Sequence, residues 1–205
     1  MKATLNLNRS RACWLKKPLQ CAHLRPWLID NGSLTARLKV RYTDFAVRPV
    51  LLKNAKSFAD ESALLGLKAS QHALIREVIL MGNNQPVVFA HSVLPHASLR
   101  GAWRGLGKLG NKPLGAALFA NPKVKRTPLV YKKLSRHHPI SIRVSRMNNQ
   151  LQLVYSAGTT LAVAEQLQTL PKVLWARRSI FSLGCAKILV TEVFLPQLLT
   201  SVIPA

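Results

Sequence analysis

Acidic residues are the scarcest charged groups in this sequence. Only 7 of the 205 residues are Asp or Glu, against 30 Lys and Arg, so the formal net charge is +23 at pH 7. A surplus of this size attracts anions in general, whether nucleic acid, acidic lipid surfaces or carboxylated small molecules. Lys and Arg nowhere form a run dense enough to predict a nucleic-acid-binding arm, and we expect no nucleic-acid partner.

Cysteine is also rare. The three residues Cys13, Cys21 and Cys185 are odd in number and unrelated in spacing, which argues against a disulfide framework and against a zinc site. No arrangement of His, Asn or Asp indicates a catalytic cysteine. We therefore expect reduced thiols in a cytoplasmic protein.

Long hydrophobic runs and cofactor motifs are missing as well. No apolar run reaches the length of a membrane-spanning helix, and the basic residues 1–13 lack the apolar core of a secretory signal. The glycines Gly105, Gly107 and Gly110 lack the preceding strand and the Gly-Lys-Ser/Thr ending of a phosphate loop. We predict neither a cofactor nor a metal, and no stable insertion into a membrane.

Hydrophobic residues, by contrast, make up 48% of the chain. This share, at a length of 205 residues, is typical of a globular protein, and we expect one domain spanning 1–205 with a sizeable core.

The most informative stretch is 174–196, which predicts two strands joined by a tight turn at Gly184. On the second strand, Glu192 shares a face with Val190 and Phe194, because side chains in a strand repeat with a period of two. A carboxylate on an apolar face is costly unless a partner or a ligand meets it.

A second hairpin is predicted over 72–94, with its turn at Gly82 and two asparagines. On its first strand, the guanidinium of Arg76 lies between Val78 and Leu74 on one face. A cation in that position requires a partner or a function.

The remaining patterns complete an α+β fold with a single antiparallel β-sheet of about six strands and short helices on one face. They are, in order, a helix over 24–29, a second helix capped by Ser33, a strand over 44–53 with Pro49 at an edge or bulge, a loop over 54–61, helical pieces within 98–120, a strand over 127–134, a small hairpin over 140–157 and an amphipathic helix over 159–170.

Three separated blocks of the sequence resemble the bacterial chorismate lyases, in the same order. They are IREVILMGNNQPVVFAHSVLP at 75–95, LGKLGNKPLGAALF at 106–119, and LWARRS followed by LVTEVFLP within 174–196. The resemblance implies helical flaps that close over an internal ligand pocket in the sheet. It also implies removal of the enolpyruvyl group of chorismate to give 4-hydroxybenzoate and pyruvate, the first step of ubiquinone biosynthesis, without a cofactor. We expect a monomer whose partner is the small molecule chorismate.

The resemblance also implies which residues form the site. Arg76 would bind a substrate carboxylate and Glu192 would accept a hydrogen bond from the ring hydroxyl, as the two catalytic residues. The backbone amides of Leu34 and Leu114, one on each flap, would close around the substrate or product.

Three further residues are candidates for the second carboxylate of the substrate. Arg177 and Arg178 point to opposite faces, so one could reach the ligand while the other would be a surface cation. His91 stands where many relatives have arginine, and it carries charge only when protonated. If His91 takes that role, we therefore expect an active enzyme with either weaker substrate affinity or a stronger pH dependence on the acid side.

Four alternatives remain open from the sequence. A nucleic-acid-binding protein is one of them, although it rests only on the net charge and lacks interleaved aromatic residues or a known module. Arg76 and Glu192 could form a buried salt bridge with each other. The domain could sense a small molecule without catalysis, as the effector domains of one class of bacterial transcription regulators with a similar fold do, although 1–13 leaves no room for their DNA-binding domain. Residues 138–171 would be an insertion relative to many relatives, either a surface elaboration or a contact site.

Overall fold

A single antiparallel β-sheet forms the centre of the molecule, for which a computed structural model describes residues 13–158 and 170–200. Its seven strands are β1 (Phe45–Ala55), β2 (Ala73–Gly82), β3 (Gln85–Pro95), β4 (Lys125–Arg126), β5 (Val130–Ser135), β6 (Val173–Leu183) and β7 (Ala186–Phe194). The strand order is β1-β2-β3-β7-β6-β4, and β5 pairs with β6 beside β4. The predicted fold class is confirmed.

Short helices connect the strands. They are α1 (Arg25–Leu28), α2 (Leu34–Arg41), α3 (Ala59–Leu65), α4 (His96–Arg100), α5 (Leu114–Ala120), α6 (Pro139–Gly158) and α7 (Gln197–Thr200), with 3₁₀ helices at Ala22–Leu24 and Leu106–Lys108. Among the helices of the described ranges, none is both long and apolar enough to cross a membrane.

Both predicted hairpins are present. β2 and β3 turn at Asn83 and Asn84, whose φ angles of 48° and 61° lie in the left-handed region that asparagine tolerates. β6 and β7 turn at Gly184, with φ 58°. The strand with Pro49 is the edge strand β1, and its pairing with β2 shifts register between Pro49 and Leu51, as proline in a strand predicts.

The two faces of the sheet carry different layers. On the first face, α1 and α2 pack over one end and α5 over the other, through two separate clusters of buried apolar side chains. On the second face, α3 and α6 pack against other apolar residues of the same strands. The expectation that helices cover one face only is therefore wrong, because apolar residues lie on both faces of the central strands and both need cover.

The predicted loop over 54–61 is partly wrong, since α3 begins at Ala59. The Glu61 carboxylate accepts a hydrogen bond from the backbone N–H of Phe58 at 3.1 Å, which caps the helix. Leu65, at the other end of α3, packs on Ile75 of the sheet. Acidic residues that suit a loop also suit the first turn of a helix, and burial of the apolar residues decides between them.

The predicted small hairpin over 140–157 is wrong, because α6 is one continuous helix from Pro139 to Gly158. Ile140, Val144 and Met147 follow helical spacing and pack on the second face of the sheet, whereas Ile142 is 40% exposed. The alternation of apolar residues that suggested a strand also fits one helical stripe. The predicted helix over 159–170 lies outside the described residues except for Leu170, and the insertion at 138–171 stays a prediction.

Candidate functional site

A pocket lies on the first face of the sheet, between two segments that we call flap one (residues 22–41) and flap two (residues 96–120). The space between its walls is about 530 Å³, part of it open to solvent. Its walls combine apolar side chains with a few charged ones. They are Gly32, Leu34, Thr35, Val47, Arg76, Val78, Leu80, Ala90, Ser92, Pro113, Leu114, Gly115, Leu118, Phe119, Arg126, Phe181, Val190 and Glu192.

The two flaps meet over the pocket. Leu34 is the first residue of α2 and Leu114 the first residue of α5, and both side chains are buried in the pocket wall. A Cβ atom added to Gly115 would lie 3.2 Å from Oγ1 of Thr35, so the two flaps approach each other closely here and a side chain at this position would press on that hydroxyl. The first N–H groups of a helix have no acceptor within the helix, so the backbone N–H groups of Leu34 and Leu114, at the starts of α2 and α5, are available as donors at the pocket.

Arg76 projects from β2 into the pocket and is 4% exposed. Its Nη2 donates to two backbone carbonyls of flap two, those of Gly110 at 3.0 Å and Lys112 at 2.9 Å. No carboxylate of the described residues lies within salt-bridge distance of it. Burial lowers the pKa of this guanidinium, and the two carbonyls hold it in place without neutralising its charge.

Glu192 reaches the same pocket from β7, but its partner is Arg177 on the neighbouring strand β6. The two residues are opposite one another in the register, and Nε of Arg177 donates to Oε2 of Glu192 at 2.6 Å. The Arg177 side chain is fully buried, while that of Glu192 keeps 15% exposure on the pocket side. The alternative of a salt bridge between Arg76 and Glu192 is thus not realised in this structure.

Arg177 also connects the sheet to flap one. Its Nη1 donates to the backbone carbonyls of Trp27 at 2.8 Å, Leu28 at 3.3 Å and Asp30 at 2.6 Å. These bonds occupy Arg177 beneath the flap, so it contacts the pocket through Glu192 and does not form part of the pocket wall.

Arg126 is a third charged residue of the pocket wall, which the sequence analysis did not identify. Nε donates to Oγ of Ser179 at 2.8 Å, and Nη1 donates to the carbonyl of Asn31 on flap one at 2.9 Å. The guanidinium carbon lies 5.5 Å from the ring centre of Phe119 and 5.0 Å from that of Phe181. β4 is only two residues long, too short for a periodic pattern that could have identified Arg126.

The charged groups at the pocket leave two positive charges uncompensated. Arg76, Arg126 and Arg177 supply three guanidinium groups, and Glu192 supplies one carboxylate that Arg177 neutralises. Burial lowers the pKa of Arg126, although an arginine pKa starts so high that the group stays charged. Such a site is suited to an anion with two negative groups.

His91 lies on the second face of the sheet, away from the pocket. Its Nδ1 is 2.8 Å from Oε1 of Glu77 and its Nε2 is 3.3 Å from Oε1 of Glu61. The residue is 1% exposed, and its ring stacks on that of Phe58. Burial lowers its pKa, but the two carboxylates outweigh burial and raise the pKa to about 9. We therefore do not retain His91 as a substrate contact, nor the pH-dependent affinity expected from it.

Arg178 points to the second face too, as the alternation along β6 predicts. Its Nη1 donates to Oδ2 of Asp60 at 2.6 Å, and its guanidinium lies 4.0 Å above the ring of Trp14. It is neither a surface cation nor a pocket residue, because it is 7% exposed beneath that ring.

Comparison with known proteins gives a consistent result. A sequence model of the family described as "Chorismate lyase" matches residues 8–203. A protein of Thiobacillus denitrificans named "Probable chorismate pyruvate-lyase" is 45% identical over 188 residues, which cover 91% of this chain and 90% of the relative. A protein of the same name from Methylobacillus flagellatus is 44% identical over 186 residues, covering 91% and 94%.

Among solved structures, the chain is similar to PhnF from Mycobacterium smegmatis. The TM-score is 0.52 at 15% identity, over 82% of this chain and 66% of that chain, a likeness that shows the fold alone. The family match over residues 8–203 includes the blocks that carry Arg76 and Glu192, and the two relatives each cover 91% of the chain. The chain belongs to the chorismate lyase family.

Proposed function

We propose that this protein is a chorismate–pyruvate lyase, which converts chorismate into 4-hydroxybenzoate and pyruvate at the first step of ubiquinone biosynthesis. The observation that carries the proposal is the buried guanidinium of Arg76, which faces a pocket and has only carbonyl partners among the described residues. A buried charge without a counter-ion is costly, and a carboxylate ligand would offset that cost.

The reaction needs little from the protein beyond binding and orientation. The ether bond between the ring and the enolpyruvyl group breaks, and its electron pair leaves with the enolpyruvyl oxygen. The adjacent ring carbon loses its hydrogen as a proton, which makes the ring aromatic, and the departing enolpyruvate takes up a proton on its methylene carbon to become pyruvate. A pocket that holds the dianion in a reactive pose and stabilises charge on the leaving oxygen accelerates this elimination.

Arg76 would bind the carboxylate on the ring. The two N–H groups of its Nη2 donate to the carbonyls of Gly110 and Lys112 on flap two. The N–H groups of Nη1 and Nε remain to donate charge-assisted hydrogen bonds to the carboxylate, and the guanidinium is oriented before the ligand arrives. This pre-orientation reduces the entropy lost on binding.

Glu192 would accept a hydrogen bond from the ring hydroxyl. Its Oε2 is held by Arg177, and the exposed part of the side chain faces the pocket. A carboxylate fixed in this way can orient the hydroxyl-bearing carbon and assist departure of its proton.

The flaps would exclude water from the reacting centre. The backbone N–H groups of Leu34 and Leu114, at the starts of α2 and α5, would donate to ligand oxygens from opposite sides of the pocket. Removal of water strengthens every charged interaction inside the pocket.

The test is to mix the purified protein with chorismate and follow 4-hydroxybenzoate and pyruvate in parallel. Equal molar appearance of both products is expected. Tight binding of chorismate without formation of either product would instead favour a ligand sensor, and no binding at all would exclude both.

We also propose that the protein acts as a monomer in the cytoplasm. The pocket is formed by elements of one chain, so the proposed chemistry needs no second copy. Sedimentation velocity at several concentrations should give a mass near the 22.7 kDa of the chain. A stable dimer whose dissociation abolishes activity would contradict this.

A further inference from the structure

Arg76 and Arg126 lie on opposite sides of Glu192 across the sheet. Glu192 belongs to β7, Arg76 to β2 two strands to one side, and Arg126 to β4 two strands to the other side. Neighbouring strands are about 4.8 Å apart, so the two arginines approach the pocket from its two ends. All three side chains nevertheless line the same pocket.

Arg126 is held in place by contacts that leave part of its guanidinium unused. Its hydrogen bonds within the described residues come from Nε, to Ser179, and from Nη1, to Asn31. Nη2 carries two further N–H groups that those partners do not use. The ring centres of Phe119 and Phe181 lie 5.5 Å and 5.0 Å from the guanidinium carbon of Arg126, within the range of cation–π attraction.

The remaining carboxylates of the described part of the chain do not neutralise Arg126. Glu192 is bound by Arg177, and no acidic side chain of the described residues lies within salt-bridge distance of Arg126. The pocket therefore keeps one uncompensated cation at each end. Chorismate carries one carboxylate on its ring and a second on its enolpyruvyl side chain, whereas 4-hydroxybenzoate keeps only the ring carboxylate.

We propose that Arg126 binds the enolpyruvyl carboxylate of the substrate, while Arg76 binds the ring carboxylate. This inference rests on the proposed lyase function. It makes Arg126 the residue that distinguishes substrate from product, because the group it holds leaves with pyruvate. Loss of that anion would return the Arg126 end of the pocket to its uncompensated state and leave Arg76 as the one arginine that binds a carboxylate of 4-hydroxybenzoate.

The experiment compares two ligands across matched variants. Arg126→Gln removes the charge and keeps much of the length of the side chain, and Lys125→Gln on the exposed side of β4 is the control. kcat/KM for chorismate is measured from product formation, and Kd for 4-hydroxybenzoate from isothermal titration calorimetry. Loss of a charged hydrogen bond should lower kcat/KM by about 10- to 100-fold in Arg126→Gln, mainly through KM, while Kd for 4-hydroxybenzoate changes less than about threefold. Arg126→Lys, which keeps the charge, should recover part of the loss.

Three results would overturn the inference. Equal weakening of both ligands would show that Arg126 mainly holds flap one through Asn31. Unchanged kinetics in Arg126→Gln would show that the side-chain carboxylate binds elsewhere. A fall in kcat with unchanged KM would assign Arg126 to the chemical step alone. A wild-type protein without lyase activity would refute the proposed function itself. The three results above would refute only the role of Arg126.

Discussion

Nε of Arg177 lies 2.6 Å from Oε2 of Glu192, and the same guanidinium donates to three backbone carbonyls of flap one. The carboxylate that faces the pocket is therefore linked to the flap that covers it through one buried side chain. A change at Glu192 is expected to alter both the chemistry of the pocket and the attachment of flap one, because Arg177 would lose its only anionic partner among the described residues.

We predict that Glu192→Gln reduces kcat for chorismate by about 100-fold, since the amide accepts a hydrogen bond but does not take up a proton as readily. It should also lower the free energy of unfolding by about 1–3 kcal/mol, because Arg177 is left buried without a counter-ion. Urea unfolding and product formation measure the two effects. Asp44→Asn, at an exposed position, is the matched control. Full activity in Glu192→Gln would remove Glu192 from the proposed site.

Arg76→Ala should lower kcat/KM for chorismate by roughly 10- to 100-fold, because it removes the partner of the ring carboxylate. It should weaken the binding of 4-hydroxybenzoate to a similar degree, because the ring carboxylate is common to both ligands. The variant should remain folded, since the cost of burying an unpaired guanidinium is removed together with its hydrogen bonds to flap two. Circular dichroism and calorimetry check folding and binding, with the exposed Arg104→Ala as control. If the variant unfolds but keeps its activity per folded molecule, Arg76 has a structural role only.

The ion network of His91 predicts a pH dependence of stability. The folded-state pKa of His91 is raised to about 9 from an ordinary value of 6.5, so folding favours the protonated ring. The contribution of the protonated ring to the free energy of unfolding is complete below pH 6.5 and is lost as the pH rises through about 9. The upper limit of this contribution is about 3 kcal/mol. The facing groups are Glu61 of α3, Glu77 of β2 and, through Glu77, Arg143 of α6.

Urea unfolding at intervals from pH 6 to pH 9.5 tests this expectation. The wild type should lose stability across the upper part of that range, and His91→Gln should lose much less. His137→Gln, at an exposed position, should follow the wild type. Identical pH profiles for the wild type and His91→Gln would mean that the buried ring is neutral.

The close approach of the flaps at Gly115 predicts an effect on ligand binding. A methyl group there would lie 3.2 Å from Oγ1 of Thr35 and 3.5 Å from Oγ of Ser33, so the flaps would have to separate slightly. Gly115→Ala should raise KM for chorismate by about 3- to 10-fold and lower the free energy of unfolding by no more than the ordinary overpacking cost of about 1–3 kcal/mol. Ala116→Ser, on the exposed side of α5, is the control. An unchanged KM would show that the flaps accommodate the methyl group without opening.

The hairpins were predictable because their signals are local. Two asparagines and a glycine mark the turns. The period of two places Arg76 and Glu192 on the apolar face of their strands, which is the first face of the sheet, where the pocket lies. The family resemblance added Leu34 and Leu114, both of which line the pocket. The predicted hairpin over 140–157 was wrong, because the same apolar spacing fits either a short hairpin or one stripe of a helix. The helix α6 forms because its apolar stripe covers the second face of the sheet, which the local pattern does not reveal.

Sequence alone determined the antiparallel sheet and the faces on which the two central charges lie, because backbone periodicity and turn chemistry act between near neighbours in the chain, and the family resemblance implied the two flaps. Tertiary structure alone decided the partners of those charges. Glu192 meets Arg177 rather than Arg76, His91 lies between two carboxylates behind the pocket, and Arg126 enters the pocket from a two-residue strand. Such pairings depend on strand order and on the close packing of distant segments, and a one-dimensional pattern contains neither.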